Sequence, residues 1–135
     1  MALINWDESL SVGIPGLDEQ HRQLINLLNE LNDAMKAGKA KDILSTVLKE
    51  VIDYTAYHFS TEERHMDTVA FTGTFNHKME HKKLIDKALS LHKDVDAGKL
   101  MVTIEVMKFL QEWVTGHILG TDRKYTAAFR EHGIQ

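Results

Sequence analysis

The chain contains no cysteine, which excludes disulfides, thiolate nucleophiles and thiolate metal ligands together. One proline and eight glycines are few breaks for this length, and the scarcity favours long helices. No apolar run approaches the roughly 20 residues of a membrane span, so membrane insertion is not expected. No basic cluster is present either. The 16 basic and 20 acidic side chains are scattered and leave a net charge of −4. That balance points away from a nucleic-acid surface or a polybasic membrane anchor. The segment Met1 to Leu10 lacks a positive lead and an apolar core and carries Asp7 and Glu8. It does not read as a secretory signal, so a cytoplasmic location is expected. Internal repeats and low-complexity tracts are absent.

What is present is the composition of an ordinary globular protein, 43% hydrophobic and 27% charged over 135 residues. That length suits a single domain, 1–135, able to bury about two thirds of its unfolded surface. Breaks at Gly13–Gly16, Gly38, Gly73, Gly98 and Gly120 separate four stretches long enough for helices. The first runs from about Asp18, read as an N-cap, to Ala37, with His21, Leu24, Leu28, Leu31 and Met35 at alternating steps of three and four. The second runs from about Ala40 to Met66, with Leu44, Val47, Leu48, Val51, Tyr54, Thr55 and His58 along one side. The third, about Thr74 to Ala97, carries His77, His81, Leu84, Ala88, Leu91 and Val95. The fourth, about Met101 to Leu119, carries Val106, Leu110, Trp113 and His117. Short connections make neighbours antiparallel, so the expected fold is all-α, an up-down-up-down four-helix bundle. Residues 1–17 are expected as an extended arm that packs Trp6 on the bundle, and Asp122 to Arg130 as a short final helix.

Five of the eight histidines lie on stripes that should be core: His21, His58, His77, His81 and His117. Glu62 follows His58 by four residues, and Asp122 follows His117 by five. A step of four turns a helix through about 400°, so His58 and Glu62 point the same way, as do His77 and His81. In an up-down-up-down bundle all seven residues fall at one end. Burying them unpaired costs on the order of several kcal/mol per ionised group, and metal coordination compensates. Imidazole with carboxylate suits iron, zinc, copper or nickel. Seven ligands are too many for one tetrahedral zinc. With two carboxylates and one oxygen bridging, they suit a pair of ions, one fully ligated and one with an open position. A step of five misdirects Asp122 by about 140° on an ideal helix, so a break is expected at Gly120 and Thr121.

The motifs Asp-Glu-Gln-His at 18–21, His-Phe-Ser-Thr-Glu-Glu at 58–63, His-Lys-Met-Glu-His at 77–81 and His-Ile-Leu-Gly-Thr-Asp at 117–122 together resemble the hemerythrin family over nearly the whole chain. Asn-Trp near the start and Asp-Arg-Lys-Tyr at 122–125 are similar too. The resemblance implies two iron ions with an oxo or hydroxo bridge, His77, His81 and His117 on one, His21 and His58 on the other, and Glu62 and Asp122 bridging. It implies a non-enzymatic carrier or store of dioxygen, bound at the iron held by His21 and His58 and lined by Leu24, Phe59, Trp113 and Leu119. A protein that receives the oxygen is a possible partner. Two other functions use the same ligand set, an oxidase or peroxidase, and a sensor of oxygen, redox state or nitric oxide acting through a partner. The first needs a proton donor or a substrate channel, which those pocket residues do not offer. His65, seven residues after His58, forms Glu-x-x-His with Glu62 but is read as a non-ligand, and His92 and His132 as solvent-facing. The segment Val69 to Phe75 lacks the Tyr-Pro often seen before the third helix of the family.

Overall fold

In a computed structural model, residues 3–135 are described, apart from the side chain of Leu119. Four long helices account for most of the chain: α1 Pro15–Lys36, α2 Lys41–Thr68, α3 Thr74–Asp96 and α4 Ile104–Gly120. A 3-10 turn at Asp122–Tyr125 leads into a short α5, Thr126–Glu131. Each long helix buries one stripe, and the stripes meet in a core that includes Leu28, Leu31, Leu48, Val51, Ala88, Val95, Met107 and Leu110. The result is the expected all-α four-helix bundle. No helix among the described residues is long and apolar enough to cross a membrane.

The helix ends have local causes. α1 starts three residues before Asp18, because Pro15 takes the first helical position, where its missing N–H and fixed φ are an advantage. Asp18 is therefore not the N-cap. Its carboxylate accepts from the Val12 N–H at 2.8 Å and the Ser11 hydroxyl at 2.6 Å, and so ties the arm to the first turn. α4 starts at Ile104 rather than near Met101, because the Thr103 hydroxyl caps it by accepting from the Val106 N–H.

α1 and α3 end alike, with Gly38 at φ 69° and Gly98 at φ 75°. In each, the glycine N–H and the next N–H reach back to carbonyls of the last turn, the left-handed closure that glycine favours. α2 closes the same way on Ala70, at φ 51°, with Phe71 N–H bonded to Met66 O at 3.0 Å. The turn lacking Tyr-Pro is thus a left-handed closure on a residue that resists it.

The arm is extended except for a 3-10 turn at Glu8–Leu10, and it buries Ile4, Leu10, Val12 and Ile14. Asn29 pins it by exchanging two hydrogen bonds of 2.9 Å with the Ile4 backbone. Trp6 packs on the core, with the Arg22 guanidinium 4.9 Å from its ring centre. The C-terminal segment fastens the arm from the other side. Arg123 donates to Ser9 O and Ser11 O, Thr126 to Val12 O and Arg130 to Gly13 O. That clasp fixes the 3-10 turn carrying Asp122 and Tyr125, both fully buried.

His92 departs from expectation. Its Nε2 lies 3.1 Å from Ser45 Oγ and 3.2 Å from Ser45 O, half-buried between α2 and α3. Ser45 in turn donates to Asp96. This polar staple sits at the end of the bundle away from the histidine cluster. His132 is exposed.

Candidate metal centre

At one end of the bundle, His21 from α1, His58 and Glu62 from α2, His77 and His81 from α3, and His117 from α4 converge with Asp122. All seven are buried. α4 ends at Gly120, and Thr121 at φ −105°, ψ −49° leads into the 3-10 turn, which returns Asp122 to the bundle axis. One set of potential ligand atoms, from Glu62, His77, His81, His117 and Asp122, lies within 4.8 Å of one another; a second comes from His21, His58, Glu62 and Asp122. The two sets share both carboxylates.

The rings present Nε2 inward. Asp122 Oδ1 is 2.7 Å from His117 Nε2 and 3.0 Å from His77 Nε2, and its Oδ2 is 2.9 Å from His21 Nε2. Glu62 Oε1 is 3.3 Å from His81 Nε2 and 3.4 Å from His58 Nε2. Closeness does not make these groups satisfied. His21 Nε2, His58 Nε2, Glu62 Oε1 and Asp122 Oδ2 are all buried without a hydrogen bond. Each such group carries a desolvation penalty of about 1–3 kcal/mol. Four orphaned atoms aimed at one place fit cations between them, and the donor set, five imidazoles and two carboxylates, suits divalent transition ions.

Burial and mutual charge pull the titratable groups of the cluster in opposite directions. Burial, then the neighbouring Asp122, pushes the Glu62 carboxyl up to about 8. Burial takes His81 down to about 4 and holds His58 well below the ordinary imidazole range. His117 goes the other way: burial opposes its charge, but the Asp122 carboxylate overrides it and lifts the ring to about 9. Burial likewise opposes ionisation of Asp122, yet His117 and the other rings keep it well below the usual carboxylate range.

Around this cluster lies a ring of supports that sequence spacing did not reveal. Gln20 Oε1 of α1 is 2.6 Å from His58 Nδ1 on α2. Glu63 Oε2 of α2 is 2.9 Å from His81 Nδ1 on α3, and Glu80 Oε2 of α3 is 2.9 Å from His117 Nδ1 on α4. Each of the first three helices therefore aims a ring of the next. The Tyr125 hydroxyl donates to Glu62 Oε2 at 2.5 Å, while its ring stacks on Phe129 and lies flat beside His77. His65 belongs to neither ligand set; its ring meets the edge of Phe129 at 5.7 Å.

Leu24, Phe59 and Trp113 line a small cavity beside His21, His58 and His117, together with Thr55, Leu84, Val114 and Ile118. It has room for little more than one water-sized molecule. Thr55 is its one hydroxyl among the described residues, and that hydroxyl donates to Val51 O at 2.7 Å. The side chain of Leu119 lies outside the described residues.

Comparison with known proteins agrees with this geometry. Residues 12–129 match the family model described as hemerythrin HHE cation binding domain. A bacteriohemerythrin of Stenotrophomonas maltophilia is 32% identical, over 98% of this chain and 85% of that one. A hemerythrin-like protein of Naegleria gruberi is 36% identical, over 90% and 89%. A crystal structure of wild-type hemerythrin has a TM-score of 0.88 at 28% identity, covering 94% of this chain and 98% of the other. With a family model spanning nearly the whole bundle and a buried His/Glu/Asp cluster suited to metal, the chain belongs to the hemerythrin family.

Proposed function

We propose that the whole chain, 1–135, is one domain that binds dioxygen reversibly at a pair of non-heme iron ions and acts as a carrier or store rather than an enzyme. In this reading His77, His81 and His117 hold one ion and His21 and His58 the other. Glu62 and Asp122, which belong to both ligand sets, would be shared by the two ions, with an oxo or hydroxo group from solvent completing the pair. Iron held there would supply the electrons for binding dioxygen. The protein supplies the rest: it fixes the rings, neutralises charge with two carboxylates and keeps water out.

The observation that carries the proposal is the small apolar cavity against His21, His58 and His117. Leu24, Phe59 and Trp113 give a diatomic guest a dry wall. Thr55 has its proton committed to Val51 O, so the cavity gains no free hydroxyl proton from it. A cytoplasmic location and a protein that receives the oxygen belong to the same proposal.

The test is the visible spectrum of iron-loaded protein, reduced without air, then aerated, then purged. A band that appears with air and vanishes on purging supports the carrier. A single irreversible change refutes it.

A further inference from the structure

The supports around the cluster are unequal. At the three-histidine position, His81 and His117 each have a carboxylate on Nδ1, Glu63 and Glu80, both at 2.9 Å. At the two-histidine position, His58 has the neutral amide oxygen of Gln20 at 2.6 Å. There His21 Nδ1 is buried with no partner. An acceptor on Nδ1 keeps the proton there and leaves the Nε2 lone pair for a metal, but an anionic acceptor also makes that lone pair more basic. Glutamine fixes the tautomer without adding charge. Two negative charges thus stand behind one position and none of these supports charges the other.

We propose that this asymmetry ranks the two metal positions. Glu63 and Glu80 make the position of His77, His81 and His117 the tight one, which fills first. The position of His21 and His58 is the weaker, exchangeable one, and both of its rings line the apolar cavity, which also touches His117. Glu63, Glu80 and Gln20 are positioning residues, acting only through the rings they touch. The inference rests on the paired-ion reading above and adds an order to it.

The experiment is an anaerobic titration of the metal-free full chain with Co²⁺, followed by calorimetry and by the visible absorption of bound cobalt. Two phases are expected, with H58A removing the weak one and H81A the tight one. Outer partners of metal-bound histidines are typically worth roughly 10- to 100-fold in affinity. E63Q and E80Q keep the shape and the hydrogen-bond acceptor and remove only the charge. Each is expected to weaken the tight phase by about 10- to 100-fold while moving the weak phase by less than about threefold. Q20E places a charge behind His58 and is expected to strengthen the weak phase by at least about tenfold, a gain that misfolding cannot produce. Equal shifts in both phases, no shift in either, or loss of the tight phase in H58A overturns the ranking while leaving two ions bound. Binding of one cobalt or none to the wild-type chain overturns the paired-ion reading, and the ranking with it.

Discussion

Replacing Tyr125 by Phe removes one hydroxyl from the deepest part of the site and leaves the ring in place. The ring is fully buried and stacked on Phe129 at 4.2 Å between centres, so packing is kept. What is lost is the hydrogen bond to Glu62 Oε2 at 2.5 Å. Its worth depends on whether Glu62 is charged. With metal bound, the carboxylate is ionised, and a bond to a charged group contributes about 1.5–3 kcal/mol. Without metal, Glu62 is pushed up to about 8, so near neutral pH it is largely protonated and the bond contributes about 0.5–1.5 kcal/mol. Unfolding entropy of about 2.1 cal/mol/K per residue gives this chain about 0.28 kcal/mol/K. Y125F should therefore lower the melting temperature by about 5–11 °C in the metal-loaded protein and by about 2–5 °C in the metal-free one. By linkage, the difference of about 1–1.5 kcal/mol is a loss of roughly tenfold in metal affinity. Circular dichroism melts of both forms, with a metal titration, measure all three quantities. Equal melting shifts with and without metal would falsify the assignment of Tyr125 to a metal-bound Glu62.

Removing either shared carboxylate, E62A or D122A, should reduce metal content from two ions per chain to one or none, read by elemental analysis; two ions in both variants refute bridging. The metal-free protein should lose stability as pH rises from about 6.5 to 9. Folded Glu62, at about 8, and His117, at about 9, both hold protons there that the unfolded chain has released from groups near 4.5 and 6.5. Below about 6.5 the depressed rings of His58 and His81 act oppositely, losing stability as pH falls. Urea midpoints across pH 5–9 test both slopes. Ala70→Gly should raise stability by about 0.5–1 kcal/mol in a denaturant melt, because Ala70 sits at φ 51°; a loss of stability contradicts the strain argument. Thr55→Val should change the rate of irreversible oxidation in air by less than about twofold, because the Thr55 proton is already held by Val51 O. A large slowing means that this proton reaches the guest.

The bundle and its seven-residue cluster were legible because both follow from periodicity and chain order. A step of four places His77 and His81 on one face, and antiparallel neighbours bring His21, His58 and His117 to the same end. Asp122 was legible through its misfit, since five residues after His117 forced a break at Gly120. The supports were not legible, for a physical reason. Gln20 precedes His21 in sequence yet serves His58; Glu63 follows Glu62 yet serves His81; Glu80 precedes His81 yet serves His117. Nearness along the chain points to the wrong partner, because adjacent residues on a helix diverge by about 100°. Asp18 misled in a similar way. A capping side chain in front of a hydrophobic run suggested a helix start, but Pro15 claims that start, and the carboxylate turns back to the arm.

That helix-to-helix succession has a mechanical meaning. Sliding one helix by a single residue moves it about 1.5 Å along its axis and turns its side chains by about 100°. A hydrogen bond of 2.9 Å tolerates only a few tenths of an ångström. The links from α1 to α2, α2 to α3 and α3 to α4 can therefore close together only when each successive helix pair is in register. The cluster works as a gauge for the whole bundle. An overpacked residue at the far end, near Val95 or Leu48, should be readable as weakened metal affinity at the near end, long before the helices themselves melt.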